Sequence, residues 1–155
     1  METATRTPWK VFQAIWAGGT TAATFDVFAA LVIYGGTASG LAKAIARGWY
    51  GDAVKTLPHY VEIVGLASHY AILLAAAAIF VFASLRWPVL RRMAWITGPV
   101  FGACVYGVMH YIVVPLSNSG GTAPTGLNFE LEFAGHLLLV GLPIALWARA
   151  ILGRD

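Results

Sequence analysis

Charged side chains are scarce in this chain, at 11% of 155 residues against 59% hydrophobic. Soluble domains carry about 25% charged and about 45–50% apolar residues. So little charge cannot cover a water-facing surface, which excludes a soluble domain and leaves an integral membrane protein. Cysteine is nearly missing too. Cys104, in an apolar run, is the sole one, so an intramolecular disulfide and a CxxC metal motif are both excluded. The signatures of common enzymes are absent: no glycine-rich phosphate loop, no GxSxG and no HExxH. The net charge of +3 is too small to point to nucleic acid and suits flanks lying on anionic lipid.

What the chain does have is four apolar stretches of spanning length, about residues 11–35, 59–85, 93–116 and 127–151. A cleaved signal peptide is the rival reading of the first, with Arg6 and Lys10 as its basic region and TAS at 37–39 as a cleavage site. That apolar region is too long and contains Asp26, so a span is expected instead. Between the first two spans, Leu41, Ala44, Ile45 and Trp49 share one helical face beside Lys43 and Arg47, with Ser39 as a plausible N-cap. This reads as an amphipathic helix over about 39–50, lying on the membrane surface as a connector or as a lid over the bundle mouth. The fold expected for residues 1–155 is therefore one all-α domain, a four-helix transmembrane bundle with a short interfacial helix between helices 1 and 2.

Basic residues set the orientation. Arg6, Lys10, Arg86, Arg91, Arg92, Arg149 and Arg154 fall on one side, and Lys43, Arg47 and Lys55 on the other. The positive-inside rule then puts both termini in the cytoplasm. Small residues recur at four-residue spacing: Gly18 with Ala22, Gly19 with Ala23, Gly98 with Gly102, and Ala103 with Gly107. Such pairs let helices approach closely in lipid, either within one chain or across a homodimer seam. Pro99 and Pro143 are expected to kink the third and fourth spans.

Ionisable residues inside a span are costly and are functional candidates by default. Each span contributes one at a similar depth: Asp26, His69, His110 and His136. At 1.5 Å per residue they lie roughly 10–15 Å from the outer ends of their spans, a single layer in the outer half of the membrane. Three residues stand in support. Glu62 shares a stripe with His69 and Gly65, Tyr106 is four residues before His110, and Glu132 is four before His136. A Glu132 carboxylate bonded to the His136 ring would fix its tautomer and free the other nitrogen.

At TFDVFAALVIYG, GLASHYAILL, YGVMHYIVVPLSN and GHLLLVGLPIALWAR the chain resembles an uncharacterised group of small four-span bacterial inner-membrane proteins, loosely of the YagU type. The resemblance covers most of residues 15–150. It implies a four-helix fold in the inner membrane and brings no activity with it.

Three functions compete. The first is a non-catalytic accessory or scaffold protein, with the polar layer as hydrogen-bonded glue between helices. The second is a metal site, or haem b, on the imidazoles and carboxylate. The third is proton-linked transport or sensing, against which the inner halves of the spans stand as almost purely apolar sequence.

Overall fold

The computed structural model describes residues 8–121 and 124–153, so Arg6 and Arg154 lie outside the described residues. Four helices are long and apolar enough to cross a membrane: α1 (Pro8–Tyr34), α3 (Tyr60–Arg86), α5 (Ala94–Leu116) and α6 (Gly126–Leu152). The surface helix α2 (Ala38–Tyr50) follows α1, and the single turn α4 (Val89–Arg92) joins α3 to α5. Four crossings bring both chain ends to one face of the bundle and α2 to the other. Every described element is helical.

Local sequence sets the breaks. Gly35 and Gly36 adopt φ of 69° and 93° and turn the chain out of α1. Thr37, rather than the expected Ser39, caps α2 and accepts the Gly40 amide at 3.1 Å. Ser39, inside the first turn, faces Glu62 instead. The helices α5 and α6 each contain a widened π turn, at Met109–Val113 and His136–Gly141. Each π turn ends two residues before a proline, Pro115 or Pro143. A helical proline has no N–H and its ring presses on the carbonyl four residues back; an extra residue in the turn relieves that clash. Pro99 sits within an uninterrupted α segment.

Helices in lipid gain little from burying apolar surface against one another, so close packing of small residues has to hold them. Here α1 and α6 form the central pair, with Gly18 against the Ile144 backbone and Ala14, Ala22, Ala145 and Ala148 buried in the core they share with their neighbours. On one flank α3 packs on α1, where a Cβ on Gly19 would stand 2.9 Å from Leu74 Cα. On the other flank α5 packs on α6. There Gly98 meets Leu142 and Gly141, and Gly102 lies against the His136 carbonyl. The pair Ala103 and Gly107 takes no part, since a Cβ on Gly107 would touch nothing.

The two flanking helices scarcely touch each other. They meet in the half nearer the chain ends, where Phe80 and Phe101 pack edge to face at 5.1 Å between ring centres. Towards α2 they diverge and leave a gap. Arg91, wholly buried, belongs to the chain-end face.

Candidate functional site

The gap between α3 and α5 is a cavity of about 760 Å³, roofed by α2 and the 117–119 loop. Its lining includes Asp26, His69, His110, Glu132 and His136. All four ionisable residues expected to form a layer thus reach one cavity, with Glu132 as a fifth member. Tyr106 stands behind them, 2% exposed, stacked on the His110 ring at 4.1 Å and edge-on to the His136 ring at 5.2 Å.

The roof is firmly tied on. A side chain at Gly65 of α3 would collide with the Ala42 carbonyl of α2, so only glycine lets the two backbones meet. Beside that contact Glu62 binds Lys43 of α2 at 3.3 Å and His59 at 2.9 Å. Glu62 therefore anchors the roof rather than supporting His69, although both share a stripe of α3. Trp49 Nε1 donates to Ser68 Oγ at 2.8 Å, and Asn118 Nδ2 donates to the Trp49 carbonyl at 2.9 Å. The face of α2 holding Ala44, Ile45 and Trp49 lines the cavity, while Ala42 and Ala46 are the residues it buries.

The hydrogen bonds of the three imidazoles decide the chemistry. His69 Nε2 donates to the Ala23 carbonyl at 3.1 Å. His110 Nδ1 donates to the Tyr106 carbonyl at 3.2 Å, and His136 Nδ1 donates to the Glu132 carbonyl at 2.9 Å. A carbonyl can only accept, so in each case the ring nitrogen carries the proton. The second nitrogen of every neutral ring is then a lone-pair acceptor. Asp26 joins them from α1, with Oδ2 3.7 Å from His69 Nε2 and Oδ1 4.0 Å from His136 Nδ1. Both separations exceed hydrogen-bond length, so Asp26 is drawn to the rings but not bonded to them.

Glu132 departs from the expectation. Its carboxylate approaches His110 across the helix interface, with Oε2 3.0 Å from Nε2, and leaves only its main-chain carbonyl to His136. Oε2 is close to Nε2 without forming an aligned hydrogen bond. Tyr34 faces the same carboxylate from the end of α1. The roles of Tyr34 and Asn118 were not visible in sequence, because both act through contacts between distant segments. The π turns had one trace there, the prolines that follow them.

Among the described residues no set of three His, Cys, Asp or Glu side chains is arranged to hold a metal ion. The polar wall therefore offers the Asp26 carboxylate and a close Glu132–His110 pair, with one N–H of each ring already spent on a main-chain carbonyl.

Fold and site together define a four-span helical membrane protein with an acid–imidazole cavity at one end, beneath a surface helix. No protein-family model matches the chain, and no curated protein or solved structure matches it either.

Proposed function

We propose that the chain is a non-catalytic binding protein of the bacterial inner membrane, with both termini cytoplasmic and α2 on the outer face, and that its cavity takes a cationic ligand. One observation carries this reading: the Asp26 carboxylate lines the cavity with no donor of this chain within hydrogen-bond distance among the described residues. Asp26 and Glu132 bring negative charge into a membrane-spanning bundle, where an uncompensated charge is costly. The three imidazoles each commit one N–H to a main-chain carbonyl, and the second nitrogen of His110 faces Glu132, so none of them bonds the Asp26 carboxylate. Positive charge from outside the chain is the missing partner.

The closed chain-end half, sealed by Phe80 and Phe101 and lined by Ala77, Val81 and Ile144, favours loading and release within the half of the bundle nearer α2 over passage through it. Metal or haem b would require the side chains to regroup, since His110 Nε2 is turned towards Glu132.

Calorimetric titration of the purified full chain with ammonium ions and divalent metals tests the reading. Saturable binding that is lost in Asp26→Asn is expected. If no cation binds to well-folded protein, the layer is hydrogen-bonded glue and the chain a scaffold.

A further inference from the structure

The cavity is more than an ion site, because most of its wall is apolar. Ile72 and Leu73 of α3, Val105, Ile112 and Val113 of α5, and Ile45 of α2 all line it. At about 760 Å³ it falls in the range of about 300–1,000 Å³ typical of small-molecule sites. A bare or hydrated ion would leave most of that surface without a partner. An organic cation would cover it.

The geometry also indicates the route of access. Asp26 lies eight residues from the last residue of α1, roughly 12 Å along the helix. The direct path from the membrane surface is closed by α2, through the Trp49–Ser68 bond at 2.8 Å and the Asn118 amide bond to Gly48 at 2.9 Å. The side path is different. The helices α3 and α5 scarcely touch above Phe80 and Phe101, and Ile112 is 52% exposed at the edge of the gap. A ligand reaching Asp26 therefore passes between α3 and α5 from the hydrocarbon phase, and any long substituent trails back along that gap.

We propose that the ligand is a lipophilic primary or secondary amine, entering from the bilayer between α3 and α5 and placing its ammonium group among Asp26, His69 and His136. The amine is specified by its N–H groups. Asp26 stands 3.7 and 4.0 Å from two imidazole nitrogens, with no donor of this chain within bonding distance of its oxygens among the described residues. Both of those nitrogens carry the ring N–H and are bonded to the Ala23 and Glu132 carbonyls, so the open acceptors are the Asp26 oxygens. An ammonium donates N–H groups to them, whereas a quaternary ammonium supplies charge without donors. A carboxylate would be repelled by Asp26, and a ketone or quinone would leave its charge without a partner.

This inference rests on the cation reading above, and one experiment separates the two. The full chain in lipid nanodiscs is titrated with decylamine, decyltrimethylammonium, decanol, methylammonium and Zn²⁺, against empty nanodiscs and Asp26→Asn. Decylamine should bind saturably, at least tenfold tighter than to Asp26→Asn and tenfold tighter than decanol, decyltrimethylammonium or methylammonium. In Ile112→Phe, which narrows the gap at a lipid-facing position, decylamine binding should fall several-fold with the melting temperature unchanged. Methylammonium or Zn²⁺ binding as tightly as decylamine would overturn the lipophilic assignment and leave the cation site standing. Decyltrimethylammonium equal to decylamine would overturn the N–H requirement. Decanol equal to decylamine, in both wild type and Asp26→Asn, would reduce the cavity to an apolar pocket and overturn both. Binding of none of the five would do the same.

Discussion

His110 Nε2 stands 3.0 Å from Glu132 Oε2 while Nδ1 of the same ring donates to the Tyr106 carbonyl at 3.2 Å. A neutral ring so bonded would turn a lone pair towards a carboxylate, and the two would repel. The pair is stable only with one additional proton, on the ring or on the acid. Replacing Glu132 by Gln supplies an amide N–H to that lone pair and should leave the melting temperature close to wild type. Glu132→Ala leaves His110 Nε2 without a partner and should cost about 1–3 kcal/mol. Thermal unfolding of the two variants side by side reads this directly.

Asp26 gives the opposite balance of stability and binding. Its carboxylate makes no hydrogen bond within the chain among the described residues, and a half-buried charge that is not well paired contributes little to folding. Asp26→Asn should leave stability within about 1 kcal/mol of wild type, or raise it, while removing cation binding. A large loss of stability would mean that Asp26 holds the helices together.

Glycines of similar appearance should respond very differently. A side chain at Gly65 strikes the Ala42 carbonyl, whereas one at Gly107 meets nothing. Gly65→Leu should lift α2 from the bundle, cost about 1–3 kcal/mol and expose the 38–50 segment to protease. Gly107→Ala should stay within about 0.5 kcal/mol.

The π turn at His136–Gly141 places His136 over the cavity, and Pro143 follows it by two residues. Pro143→Ala restores an N–H for the Leu139 carbonyl and permits a regular helix. Closing the turn by one residue would rotate the segment on one side relative to the other by about 100°. Helix content by circular dichroism should hold while ligand binding falls.

Asp52, on the surface after α2, is held below the usual aspartate range first by Lys55, at 3.1 Å, and then by Arg47, at 3.0 Å. With the folded pKa depressed, the ion pairs stabilise the protein when Asp52 is ionised. Their contribution is therefore complete above the unfolded value of about 3.9 and is lost as pH falls through the lower folded value. Melting temperature should be flat on this account from pH 8 to 5. Below about pH 4 the acid decline should be shallower in Asp52→Asn. High salt should shrink the difference, because Asp52 is solvent-exposed.

Span length and three of the four small-residue pairs were legible from residues alone, because both follow from hydropathy and helical spacing. So was the grouping of Asp26, His69, His110 and His136, which line one cavity. Glu132 was not. Four-residue spacing set it beside His136, but that rule counts only neighbours on one helix. The close packing of Gly102 on the His136 backbone brings α5, and with it His110, within reach of the Glu132 side chain. Glu62 pairs with Lys43 of α2 for a related reason: its stripe on α3 also serves α2, which docks at Gly65.

The sequence by itself determined that this is a four-span helical protein with one polar layer, since hydrophobicity and periodicity act locally and in any context. The tertiary structure decided which atoms in that layer remain open. Each imidazole spends its N–H on a main-chain carbonyl, and α3 and α5 diverge beneath α2. Both are outcomes of how neighbouring helices meet, and no spacing along a single helix encodes them.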